Sequence, residues 1–259
     1  MSETRTLMFG DDLSPAADVA WLFINSQWWP GWRLEVVTAQ LPETPGMVLP
    51  LEATRLHPWQ PPRPRAAVPT AEFAEVVDLA AIGDPRVVLS QASDLLVIGP
   101  RGPGLLKALH VGSTADWLLL HPPAPLLIAR HGQPVQRLVL CTDGSAHARA
   151  VTDVVAALPW IERMLITVVA VDDGRIDPDA ATDDACRQLA PSGATVEVHV
   201  EHGSPTAVLH AYLDATAPDL VALGTRGLTG LRRLRMGSTA SAVARTAACS
   251  VLLACADRE

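Results

Sequence analysis

Two stretches of this chain carry glycines, an arginine and hydroxyl residues at a spacing suited to holding an anion. The first reads Gly99-Pro100-Arg101-Gly102, then nine residues ending at Val111, then Gly112-Ser113-Thr114. The second reads Gly224-Thr225-Arg226-Gly227, then nine residues ending at Met236, then Gly237-Ser238-Thr239. The copies are offset by 125 positions at every glycine. In each, an apolar run ends at the first glycine: Leu95–Ile98 and Leu220–Leu223. A strand that enters a glycine loop and re-emerges at the start of a helix lets backbone N–H groups approach a phosphate closely. Gly99 and Gly224 can equally serve the strand-to-loop turn alone.

Charge supports an anionic ligand. The chain has a net charge of −8, yet its one lysine, Lys107, falls in the first loop. Arg232, Arg233 and Arg235 fall in the second. The acidic total argues against a sequence-independent nucleic-acid binder. Two familiar phosphate motifs are absent: no G-x-x-x-x-G-K-[ST] string occurs, and no G-x-G-x-x-G follows the first strand of either half. No triad, metal-ligand spacing or paired carboxylates placed to activate water stand out, so the chain reads as a binder before an enzyme. The four cysteines form no CxxC pair and read as reduced, mostly buried thiols.

The elements that must position these loops repeat as well. Each half opens with a short apolar strand that ends in acidic and small residues: Thr6–Gly10 before Asp11-Asp12-Leu13-Ser14, and Arg137–Cys141 before Thr142-Asp143-Gly144-Ser145. Ser14, followed by Pro15, and Ser145 are expected helix caps. Second strands are expected over Arg33–Ala39 and Met164–Val171. In the second half, helices over 177–189 and 205–216 flank a strand over Thr195–Val200, and the chain closes on Ser250–Ala254. The first half departs through a proline-rich excursion over about 57–69 and a clipped third helix. Trp28, Trp29 and Trp32 read as packing anchors.

Alternating strands and helices predict an α/β fold of right-handed crossovers. The expected architecture is two tandem doubly wound parallel five-stranded sheets, order 3-2-1-4-5, over residues 1–132 and 133–259. Ligands of such sheets bind at the carboxyl ends of the strands where winding reverses. Asp12 and Gly99 lie there in one half, Asp143 and Gly224 in the other. The 259 residues suffice for two such domains. No apolar run approaches a membrane-spanning length of about 20 residues, and no secretory signal is evident, so a cytoplasmic location is expected.

The spacing G-x2-G-x9-G-[ST], met in both halves, resembles the nucleotide signature of the universal stress protein family. Asp143-Gly144-Ser145, Asp219–Gly227 and the closing Cys249–Leu253 add to the likeness. The resemblance implies ATP binding, with Mg²⁺ on phosphate oxygens. It implies that the aspartate after strand one meets the adenosine (Asp12, with Asp11, and Asp143). It implies that Ala39 and Val171 line the adenine pocket. It implies that Gly99, Arg101, Gly102, Gly112, Ser113 and Thr114, and in the second site Gly224, Arg226, Gly227, Gly237, Ser238 and Thr239, wrap the phosphates. Asp12 and Asp143 can also serve as simple helix caps. The expected function is an ATP-binding stress-response protein with two sites, a nucleotide-linked sensor or binding partner. Alternatives are an adenine-nucleotide hydrolase or adenylating enzyme, and a duplicated scaffold with empty loops. The family's habit also implies an intramolecular pair, with Ala124–Ala129 against Val251–Ala254, and leaves room for a homodimer.

Overall fold

Apolar runs of four to eight residues, rich in Leu and Val, build strands buried on both faces, as a parallel sheet requires. The computed structural model describes residues 4–40, 54–60, 72–91, 93–100, 113–227 and 236–256. The first half contains β1 (Thr6–Gly10), α1 (Pro15–Ser26), β2 (Arg33–Gln40), β3 (His57–Pro58), β4 (Glu75–Ile82), α2 (Pro85–Val88), β5 (Leu95–Ile98), α3 (Ser113–Leu120) and β6 (Leu126–Ile128). The second contains β7 (Arg137–Thr142), α4 (Ala146–Ala156), β8 (Leu165–Asp172), α5 (Pro178–Leu189), β9 (Thr195–His202), α6 (Pro205–Thr216), β10 (Leu220–Gly224), α7 (Ser238–Thr246) and β11 (Ser250–Ala254).

The strands form one eleven-stranded sheet, ordered β3-β4-β2-β1-β5-β6-β11-β10-β7-β8-β9. Within each half, the five strands of the repeat run parallel in the order third, second, first, fourth, fifth. The two halves join where β6 pairs antiparallel with β11, in the register Leu126↔Leu253, Leu127↔Leu252 and Ile128↔Val251. The strands of the two halves therefore point in opposite directions.

One element departs from the expectation. His57–Pro58, expected inside a surface excursion, forms β3 and pairs antiparallel with β4. A proline on an edge strand loses no ladder bond. Residues 61–69 of the expected excursion lie outside the described residues. The clipped helix of the first half is α2, four residues long, where the second half has the twelve-residue α6.

Alternate side chains of each strand enter two cores. One lies under α1, α4 and α5 and contains Phe9, Phe23, Trp29, Val151 and Leu189. The other lies under α2, α3, α6 and α7 and contains Met8, Leu118, Leu213 and Val243. Each core runs through both halves. Trp29, fully buried, stacks on Phe73 and meets Trp32 and Trp160 edge-on, the last from the second half. Trp28 is instead peripheral, donating to Glu72 and lying under Arg163.

The helix starts follow local chemistry. Ser14 accepts from the Ala17 amide ahead of Pro15, and Ser145 accepts from the Ala148 amide. Asp177 accepts from Ala180 ahead of Pro178. The junction between halves is fastened on both sides. Gln27 donates to the Gln133 carbonyl and accepts from the Val135 amide. Arg130 donates to the carbonyls of Ala244 and Cys249, closing the C-terminus of α7.

Candidate functional site

In the second half, β7, β8 and β10 end side by side. Their loops, with the starts of α6 and α7, enclose a cavity of about 350 Å³. Asp143, Val171, Gly224, Arg226, Gly227, Gly237, Ser238 and Thr239 all line it. They lie up to 96 positions apart in sequence, and the switch of winding at β7 and β10 brings them together.

Each lining residue has a local reason for its place. Asp143 accepts at Oδ1 from the Ser145 amide at 3.0 Å, a turn that aims the carboxylate across the loop. Gly144 makes that turn possible with φ of 73°. A Cβ on Gly227 would stand 2.5 Å from Asp143 Oδ2, so the carboxylate lies directly over this glycine. A Cβ on Gly224 would stand 2.6 Å from the His147 carbonyl carbon and 2.8 Å from the Ala148 nitrogen. Gly224 therefore lets the first turn of α4 rest on the end of β10, a packing role that the sequence left open.

The glycine loop has a closed neck. The Gly237 amide donates to the Thr225 carbonyl at 2.8 Å, and the Thr225 amide donates to Ala254 at 2.9 Å. Ser145 Oγ donates to the Arg226 carbonyl at 3.3 Å, tying the α4 cap to the loop. Arg226 Nη2 donates to Cys255 Sγ at 3.6 Å, and the Ala256 amide donates to His147 Nδ1 at 3.0 Å. The tail after β11 thus buttresses the arginine.

Gly237 caps α7 without a side-chain acceptor. Among the described residues a Cβ there would meet nothing nearer than 3.5 Å, and its φ of −71° suits any residue. Neither packing nor backbone geometry demands glycine at this position; what a side chain would occupy is cavity. The positive end of α7 opens beside it, with Ser238 and Thr239 in its first turn. Thr239 Oγ1 also meets Thr206 Oγ1 at 3.0 Å, which ties α7 to α6.

The cavity has a second, apolar end. Val169, Val171, Leu209 and Ile176 line it with Cys141. Burial pushes the Cys141 thiol up to about 12, with Cys249 adding to it, so Cys141 stays protonated at neutral pH and behaves as a small apolar group. Cys141, Asp173, Arg175, Ile176, Pro205 and Leu209 are lining residues that the glycine spacing does not point to. The signal available for Asp173 and Arg175 was their position just past the end of β8.

The first half repeats the frame with different chemistry. Asp12 accepts from the Ser14 amide at 3.0 Å, as Asp143 does from Ser145. Leu13 stands where the second half has Gly144 and keeps its left-handed turn, with φ of 60°. Gly99 repeats the Gly224 packing: a Cβ there would stand 2.6 Å from the Ala16 carbonyl oxygen. Asp11 replaces Thr142 and is buried, accepting from the Leu13 amide. Burial, with the Asp11 charge second, raises the carboxyl pKa of Asp78. Gly10 replaces Cys141, and Leu89 fills the space beside it, 2.9 Å from where a Cβ would be. Ala39 is next to last in β2, as Val171 is in β8, and Ser113 and Thr114 start α3. Arg101, Gly102, Gly112, Lys107, His110, Arg232, Arg233 and Arg235 lie outside the described residues.

The fold is a doubly wound α/β repeat, with a cavity at the reversal in the second half. The sequence model of the universal stress protein family matches residues 159–254. A universal stress protein of Synechocystis sp. is 26% identical over 163 residues, covering 61% of this chain. The match spans 57% of that relative's length. Among solved structures, a universal stress protein from Archaeoglobus fulgidus DSM 4304 superposes with a TM-score of 0.68 at 18% identity, over 98% of this chain and 100% of that one. A functionally unknown protein from Pseudomonas aeruginosa PAO1 gives a TM-score of 0.58 at 15% identity, over 97% of this chain and 92% of that one. The family-model match lies in the second half of the chain, and the fold likeness runs its whole length.

Proposed function

We propose that this protein binds an adenine nucleotide, ATP in the first instance, in the second-half cavity, and acts as a nucleotide-linked stress-response sensor or binding partner. The observation that carries this reading is the convergence of all eight second-half motif residues on one cavity, with an uncapped helix start opening beside a glycine that packing does not require. Such a helix start offers free amides and a favourable dipole to a phosphate. The apolar end accepts a flat base, and Asp143 accepts from sugar hydroxyls between the two. A volume of about 350 Å³ falls within the range of small-ligand sites.

Among the described residues, no group of three His, Cys, Asp or Glu side chains is placed to hold a metal. Mg²⁺ would therefore travel on the nucleotide's phosphates, with a hydroxyl such as that of Ser238 as a protein ligand. Bound there, the ion would offset phosphate charge.

The first-half crevice is a second site of lower affinity. Two carboxylates, Asp11 and Asp12, stand where the second half has one, and repel phosphate. Leu89 also occupies floor space next to Gly10. The two halves, divided near 132/133, work as an intramolecular pair across the β6–β11 seam.

The test is calorimetric titration with Mg-ATP, together with mass spectrometry of small molecules released on denaturing the purified protein. One tight equivalent per chain and a weaker second are expected. Absence of any heat, with no co-released nucleotide, would reject the reading. Release of ADP or pyrophosphate in a single turnover would favour the hydrolase or adenylating alternative.

A further inference from the structure

The two ends of the cavity call for different ligand chemistry, and one cation sits at the wrong end for a phosphate. Arg226 and the α7 start lie at the end of β10. Arg175 lines the cavity from the loop after β8, which is separated from β10 by β7. Two strand spacings put these ends about 10 Å apart. On the β8 side the lining also holds Val169, Val171, Asp173 and Ile176, apolar but for the one carboxylate.

The loop that carries Arg175 is held in place. The Gly174 amide donates to Asp172 Oδ1 at 2.9 Å, and the Arg175 amide donates to Asp173 Oδ1 at 3.0 Å. Gly174, with φ of 77°, makes the tight bend. Asp173, mostly buried and itself in the lining, forms an ion pair with the Arg175 Nε edge at 3.8 Å, too long for a hydrogen bond. The Arg175 side chain remains 65% exposed. A guanidinium paired along one edge keeps its flat faces for another plane. Guanidinium groups stack on π systems, and an arginine already oriented loses less freedom in doing so.

We infer that Arg175 is a specificity residue that stacks over the base of the bound nucleotide and presses it against Val169, Val171 and Leu209, with Asp173 as its positioning residue. The inference rests on the nucleotide reading above and adds the clamp that selects a flat heterocycle over a bare polyphosphate. A stacking contact needs the planar fork; a phosphate contact needs only positive charge. Lysine separates the two.

The experiment titrates Mg-ATP into the wild type, Arg175→Ala and Arg175→Lys, at several salt concentrations. Thermal midpoints verify that the variants fold. Stacking predicts that ATP binds about tenfold more weakly to Arg175→Ala. It predicts that Arg175→Lys resembles Arg175→Ala, and that the salt dependence of binding is the same in all three. Affinity unchanged in Arg175→Ala would overturn the clamp. So would wild-type affinity in Arg175→Lys, or a shallower salt dependence in Arg175→Ala, because either makes Arg175 a phosphate contact. A wild type that binds no ATP would reject the nucleotide reading, and the clamp with it.

Discussion

A Cβ on Gly224 would collide with the first turn of α4, whereas one on Gly237 would meet only ordinary contacts among the described residues. The two glycines are therefore separable by substitution. Gly224→Ala should lower the unfolding free energy by about 1–3 kcal/mol, the usual range for forcing atoms into a filled space. Gly237→Ala should leave stability nearly unchanged and weaken Mg-ATP binding instead. Denaturant unfolding and calorimetry of both variants, side by side, measure this. Cys141 and Cys249 give a residue-scale pH effect. Burial raises the first thiol from 9.0 to about 12 and the second from 9.0 to about 11. The folded protein thus holds protons that the unfolded chain releases, so stability falls as pH rises from about 9 towards 12. Unfolding free energies measured across that window should decline, and Cys141→Ala should flatten the decline.

Ser145 shows how one element serves another. Its Oγ accepts from the Ala148 amide to cap α4, and donates to the Arg226 carbonyl to hold the glycine loop. Ser14 caps α1 in the same way. Both Ser14→Ala and Ser145→Ala should cost about 1 kcal/mol of stability. Ser145→Ala should also loosen nucleotide binding at the second-half cavity. A stability curve and an ATP titration for each variant distinguish the two roles. At this scale the second-half helices were legible in the sequence. Asp177, which caps α5 ahead of Pro178, and Pro205 in the first turn of α6 mark starts that act locally. The pairing of His57–Pro58 with β4 was not legible. A two-residue bridge has no periodicity, and proline-rich composition signals extended chain without naming a partner.

Across the whole molecule, the halves share one sheet, two cores and a bonded junction. Trp29 packs on Trp160, Arg5 donates to the Ala157 carbonyl at 3.0 Å, and Arg245 pairs with Asp116 across the seam. Separation would strip the partner from β6 and β11 and leave two bare sheet edges. The full chain should therefore unfold in one transition, with equal calorimetric and van't Hoff enthalpies. Two resolved heat-absorption peaks would contradict that. No helix among the described residues is long and apolar enough to cross a membrane.

By itself the sequence determined the repeat, the order of strands and helices in the second half, and a glycine spacing suited to an anion at the same place in each half. These follow from apolar periodicity, capping residues and glycine spacing, which act over a few neighbouring residues. Tertiary structure alone decided which glycines serve packing and which face the cavity, and why the halves differ. Gly224 and Gly237 look alike in a motif; their roles part only because α4 rests against one and open space adjoins the other. Arg175 joined the site through the parallel alignment of β7, β8 and β10. Leu89 came to fill the first-half floor because the glycine at position 10 left room for it. Contacts between residues distant in the chain depend on how strands lie side by side, and local patterning does not encode that.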